Sequence, residues 1–246
     1  MKALLCNEEM DATPLDPIAC VKQALSKYGV SGFWFQGVAN SAYEDYHNCA
    51  LNRLLTRKML LSSDGVITSS LTVQKLHEQY LTRVAATDPN FVKALRLDAP
   101  YHYILDDSEQ SKTRTLFGRY GIHSVISWPL KHFASNMWSC RFTLLSKQFT
   151  EDLDLVGIET VLKQAKMTLL ENYHSEVTPY RQHKLFNKTA IRALQMAALG
   201  LQNEEISQEL DMTIRGVEYH FESMRHKLSA TNRTHLVYKA HQLEII

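Results

Sequence analysis

A chain of 246 residues, 45% apolar and 22% charged, has the composition of a folded protein of one large or two ordinary domains, which excludes a fibrous or disordered chain. The formal charge of +1, from 27 Lys and Arg against 26 Asp and Glu, gives no general attraction for phosphate, so any nucleic-acid binding must come from local placement. Four scattered cysteines (Cys6, Cys20, Cys49, Cys140) lack CxxC spacing, which argues against a zinc finger or a disulfide framework and for reduced, mostly buried thiols.

Asp16 and Pro17 read as an N-cap followed by proline at the first helical position, with Ile18, Val21, Leu25 and Tyr28 on one face and Gly29 as the stop. GFWFQGV (32–38) is a strand by composition, and 42–57, with Tyr43, Tyr46, Ala50, Leu54 and Leu55, is expected as a helix. A strand at 59–62 is expected to turn at Asp64-Gly65 into 66–68. Val73, Leu76, Tyr80 and Val84 predict a helix over 72–86 that Asp88-Pro89 breaks.

Strands are expected at 101–105, 123–130 and 137–146 as an antiparallel set; in the last, Trp138, Cys140, Phe142 and Leu144 share one face and Ser139, Arg141 and Thr143 the other. Thr150 is the expected cap of a long helix to about Asn172, with Leu155, Ile158, Leu162, Ala165 and Leu169 buried. Trp34, Trp128 and Trp138 read as core packing. The polar stretch 174–185 reads as a linker, dividing the chain into domains at 1–173 and 186–246.

After that linker come amphipathic segments at 187–199, 204–210, 214–228 and from about 232, with the turn lengths of a helix-turn-helix. Asn203 is the expected cap of the second and Thr213 of the third. Ile206, Leu210, Leu194 and Ala198 are expected in a shared core, with Val217, Phe221, Met224 and Leu228 as the inner face of the third helix. Its outer face carries Arg215, Glu218, Tyr219, Glu222, Ser223, His226 and Lys227, which are long enough to reach base edges or phosphates.

Ala198, Gly200, Glu205, Ile206, Leu210, Val217, His220, Lys227 and Leu228 stand at the spacing of the LuxR-type helix-turn-helix, which residues 186–246 resemble through to the closing Asn232-Arg233-Thr234. The resemblance implies double-stranded DNA as partner, with Asn203, Thr213, Arg215, Glu218, Tyr219, Ser223, Lys227 and Arg233 at the interface. Departures are Arg192 for a glutamate, Ser207 for alanine, Thr213 for serine and Gly216 for threonine. The module's seven Lys/Arg and seven acids cancel, so dimerisation must supply much of the affinity. Leu236, Val237 and Ala240 are candidates for that contact.

Tyr80, Asp88-Pro89, an aromatic at Tyr101 or Tyr103, and GIHSVISWP (121–129) with Ser127 resemble more loosely the LuxR family's acyl-homoserine-lactone-binding domain. The implied fold class is α+β: an antiparallel sheet flanked by helices as an α-β-α sensor, followed by an all-α four-helix helix-turn-helix domain. The implied ligand residues are Tyr80, Asp88, Tyr101, Tyr103, Ser127, Ser139 and Arg141. Leu76 replaces a customary tryptophan and a tyrosine the second. Arg141 falls where a small hydroxyl usually meets the acyl carbonyl, and a two-residue shift in register would put Ser139 or Thr143 there instead.

The expected function is therefore a bacterial transcription regulator, a homodimer on a near-palindromic site, responding to an acyl-homoserine lactone or another small signal and meeting RNA polymerase. Two alternatives share the helix-turn-helix: a phosphorylation-controlled response regulator, with Asp64 as its acceptor, or a ligand-independent LuxR-type regulator. No G-x-S-x-G, HExxH or glycine-rich phosphate loop occurs, so neither enzyme nor cofactor is expected. No run of eighteen apolar residues occurs and MKALLCNEEMD turns acidic early, so a cytoplasmic protein without a membrane partner is expected.

Overall fold

The computed structural model describes residues 16–47, 54–105, 111–132, 136–182 and 185–246. In chain order the elements are α1 (Pro17–Ser26), β1 (Val30–Ala39), a 3-10 turn (Tyr43–Tyr46), α2 (Arg57–Leu60), β2 (Ile67–Thr68), α3 (Leu71–Arg83), α4 (Pro89–Arg96), β3 (Tyr101–His102), α5 (Lys112–Arg119), β4 (Ser124–Lys131), β5 (Trp138–Ser146), α6 (Leu155–Val177), α7 (Pro179–Gln182), α8 (Lys188–Ala198), α9 (Asn203–Glu209), α10 (Ile214–Leu228) and α11 (Arg233–Gln242). The chain divides into two compact units: Met1–Tyr43 with Leu61–Thr178, and Glu44–Leu60 with Pro179–Ile246.

The first unit is built on a five-stranded sheet in the order β2-β1-β5-β4-β3, antiparallel at every pairing. One face carries Phe33, Phe35, Ile126, Trp128, Trp138, Cys140, Phe142 and Leu144, packed with Val21, Leu25, Ile158, Leu162, Ala165 and Leu169 of α1 and α6. Each buried valine, leucine, isoleucine or phenylalanine among them contributes roughly 1.5–3 kcal/mol by leaving water. Asp16 caps α1 by accepting from Ile18 N at 3.1 Å, and Gly29 stops it at φ +82°. Cys20 and Cys140 are buried and not joined in a disulfide; Cys6, Cys49, Ala50 and the chain start lie outside the described residues.

The second face is covered too. α3 packs on β1 and β2, and Gly32 makes room for it, since a Cβ there would lie 2.8 Å from Val73 Cγ2. Ser139, Arg141 and Thr143 point to this side, with Arg141 and Thr143 buried. The result is an α-β-α arrangement, as the α+β expectation has it.

Several local expectations give way. The helix over 42–57 is a 3-10 turn at its start and α2 at its end, with 48–53 outside the described residues. Asp64-Gly65 does turn, but β2 pairs with β1 and not with 59–62, because edge pairing to a large sheet outweighs an isolated hairpin. α3 already stops at Arg83, and Asp88-Pro89 ends the 3-10 turn Ala85–Thr87 after it and starts the next helix: Asp88 Oδ1 accepts from Asn90 N at 2.9 Å and caps α4. α5 arises where no element was expected, capped by Ser111.

Thr150 opens a 3-10 turn, and Asp154 caps α6 in its place, accepting from Gly157 N at 3.0 Å. From 174 to 182 the chain is largely helical: α6 runs to Val177 past a kink at Tyr173, and Pro179 sits at the start of α7. Among the described strands none pair in parallel, unlike the parallel βα sheet that a phosphorylated receiver with Asp64 would need, and no described helix is long and apolar enough to cross a membrane.

Candidate functional site

In the first unit, Thr68, Trp34, Thr143, Ser127 and Tyr101 stand in register as one row across all five strands on the α3 side. Above it, Tyr80 Oη donates to Asp88 Oδ2 at 2.8 Å, while Asp88 Oδ1 also accepts from Asn90 Nδ2 at 3.0 Å. Asn90 Oδ1 in turn accepts from Tyr101 Oη at 2.8 Å and from Ile104 N at 2.9 Å. Tyr103 stacks near both phenols, its ring 5.8 Å from that of Tyr101 and 6.5 Å from that of Tyr80. Burial pushes the Tyr80 and Tyr103 hydroxyls well above the ordinary phenol range, so both stay protonated.

Arg141, 4% exposed, lies in the next row with Gln36 and Pro129. Its Nη1 donates to Ser127 Oγ at 3.0 Å and to the carbonyl of Ala94, and its Nη2 to Leu97 O at 3.2 Å. The guanidinium thus closes the C-terminal end of α4, where the helix dipole favours a cation. Ser139 shares this face one pair beyond Arg141 and is half-buried.

The structure therefore brings together Tyr80, Asp88, Tyr101 and Tyr103, and separately Ser127 and Arg141. Trp34, one of the three expected core tryptophans, packs on this polar side, 4.9 Å from the His77 ring. His77 and Asn90 escaped the sequence reading. His77 is 2% exposed, its Nδ1 has no hydrogen-bond partner among the described residues, and burial lowers its pKa to about 4. The signal for Asn90 was available, two residues past a capping aspartate.

In the second unit, Asn187 caps α8 by accepting from Ala190 N at 2.7 Å, and Gly200 reverses the chain at φ +96°. Gln202, and not Asn203, is the cap residue of α9; its N–H donates to Glu205 Oε2 at 2.6 Å. Ser207 fits a buried place because its hydroxyl donates to Glu204 O at 2.7 Å. Thr213 caps α10 as expected, accepting from Gly216 N at 3.1 Å.

Val217, Phe221, Met224 and Leu228 of α10 are buried, as are Leu194 and Ile206, whereas Ala198 is exposed and Leu210 half-buried at the helix ends. Leu236 and Ala240 are fully buried within the chain, so they serve its own core rather than a second copy. Arg215, Glu218, Tyr219, Glu222 and Ser223 are exposed, and a groove of about 580 Å³ is lined by Asn203, Arg215, Glu218, Tyr219, Glu222, Arg225 and Arg233 together with Phe221.

Two expected interface cations have internal tasks. Lys227 Nζ donates to Leu185 O at 2.7 Å and lies 5.4 Å over the Phe186 ring. Arg233 donates to Asn203 Oδ1 at 3.0 Å and to the carbonyl of Leu201, with its guanidinium 4.9 Å from the Phe221 ring centre, which pins the start of α9 to α11.

Residues 188–240 match the family model described as bacterial regulatory proteins, luxR family. This segment is a LuxR-type helix-turn-helix. No curated protein matches the chain. Among solved structures, SdiA in complex with octanoyl-rac-glycerol is 14% identical with a TM-score of 0.49, over 94% of this chain and 89% of that one. Escherichia coli SdiA is 14% identical with a TM-score of 0.41, over 95% and 93%. Within the LuxR-type segment, α9 and α10 are the two consecutive helices joined by the short turn at 210–213.

Proposed function

We propose that this protein regulates transcription, binding double-stranded DNA as a homodimer through α10 of its LuxR-type segment. The carrying observation is the division of α10: Val217, Phe221, Met224 and Leu228 are buried while Arg215, Glu218, Tyr219 and Ser223 project from the other side. Two such helices about 34 Å apart enter successive major grooves of a near-palindromic site. Footprinting over the protein's own promoter region tests this. Discrete protected half-sites are expected; uniform cleavage with and without extract of the source cells would sink it.

The sensor unit then holds a small signal molecule, such as an acyl-homoserine lactone, on the polar side of the sheet, among Tyr80, Asp88, Tyr101, Tyr103, Ser127, Ser139 and Arg141. A second reading, regulation without ligand, is favoured by one observation: Tyr80, Asp88, Asn90 and Arg141 already bond to one another or to α4. Native mass spectrometry of protein from its source cells separates the two. A retained small molecule supports the first, and the bare chain mass with undiminished DNA binding the second.

A further inference from the structure

Charge is short on the reading surface, and the structure shows where it goes. Of the module's seven Lys and Arg, four are tied inside the unit. Arg225 donates to Glu222 Oε2 and to Thr231 O, each at 3.0 Å. Lys239 donates to Leu228 O at 2.8 Å and Ser229 O at 3.0 Å, closing the end of α10. Lys227 and Arg233 are held as described above. The module's cations with no such tie among the described residues are Lys188 and Arg192 on α8 and Arg215 on α10. With seven cations matched by seven acids and only three cations untied, the sequence-independent term is weak, and base edges have to supply a good part of the discrimination.

Two charges on α10 are available for that purpose. Arg215 and Glu218 are three residues apart on the exposed side, and neither has a hydrogen bond or ion pair among the described residues. Glu222, one turn further on, is already matched by Arg225. A free carboxylate carried into a groove lined by phosphates is repelled unless it meets a donor. In the major groove the donors are the amino groups of cytosine and adenine, and adenine sets its N7 acceptor beside the amino group, which a carboxylate avoids. Cytosine N4 alone fits an acceptor-only side chain.

We propose that Glu218 is the specificity-determining residue of α10, its carboxylate accepting from the N4 amino group of a cytosine in each half-site. Arg215 stands about 4.5 Å away along the helix axis, near the spacing of neighbouring base pairs, and its fork suits guanine O6 and N7 beside that cytosine. This rests on the reading of α10 as the DNA-contacting helix.

The test is selection of duplexes from a randomised pool by the full-length protein at fixed salt, with Glu218→Ala and Glu218→Gln in parallel. Glu218 is exposed, so both variants fold, which circular dichroism verifies. The intact protein is expected to enrich cytosine at one position per half-site, on the order of tenfold over other bases. Glu218→Ala flattens that position and leaves the others. Glu218→Gln moves the preference to adenine, which an amide pairs through N6 and N7. A selected site whose every position survives Glu218→Ala overturns this inference while leaving DNA recognition intact. Failure of the intact protein to enrich any sequence overturns the function proposed above, and this inference with it.

Discussion

Tyr80 and Asp88 meet through a buried hydrogen bond, phenol to carboxylate, at 2.8 Å. The same carboxylate caps α4 and holds Asn90, so it joins α3, α4 and the Tyr101 edge of the sheet. Tyr80→Phe removes one bond and is expected to cost about 1–2 kcal/mol, whereas Asp88→Ala also removes the cap and orphans Asn90, costing about 3 kcal/mol. Urea denaturation of both single variants and the double variant tests this. Strictly additive costs would show that the two groups are not coupled.

Arg141 is expected to hold α4 against the sheet. Arg141→Met keeps the bulk but leaves Ala94 O, Leu97 O and Ser127 Oγ without its donors, a loss of about 2–4 kcal/mol. Arg141→Lys does not restore it, because one ammonium lacks the planar fork that spans α4 and β4. Wild-type urea midpoints in Arg141→Lys would refute the role.

His77 sets an acid limit. Its pKa falls from 6.5 unfolded to about 4 folded, so between those values the unfolded chain binds more protons. The stability this neutral imidazole permits is fully present above pH 6.5 and is lost as pH drops through about 4, to an extent of roughly 3 kcal/mol. His77→Gln is expected to flatten the pH dependence of the melting temperature in that window. An unchanged slope would place the acid sensitivity elsewhere.

Ser229 ends α10 in the left-handed region at φ 50°, ψ 44°. Glycine adopts that conformation without strain, so Ser229→Gly is expected to stabilise the protein by about 0.5–1 kcal/mol, net of the entropy that glycine adds to the unfolded chain. A lower melting temperature for the variant would contradict this.

The elements that were legible in the sequence are those whose pattern is local. Val217, Phe221, Met224 and Leu228 recur at helical spacing behind a capping Thr213, and the structure keeps both. Asp16-Pro17 announced α1, yet the identical pair Asp88-Pro89 read only as a break, because only eight residues of α4 follow it. Seated tertiary contacts decided the rest. Nothing near Asp64-Gly65 says that β2 pairs with β1, and nothing in β5 says that the side bearing Arg141 and Thr143 is roofed by helices from forty and more residues earlier. For the same reason Tyr80, Asp88, Tyr101 and Tyr103 could be picked out by resemblance, while His77, which touches Trp34 across a layer, could not.

Along β5 consecutive side chains belong to different environments: Phe142 is packed in hydrocarbon beneath α1 and α6, and Arg141 is fastened to α4 above. Parity is therefore built into the chain between 136 and 146. Sliding β5 by two residues against β1 and β4 would return every side chain to its own side, whereas sliding it by one would drive a guanidinium into the oily layer and a phenyl ring against bare carbonyls. The pairing of β5 with both neighbours is therefore set against any odd slip.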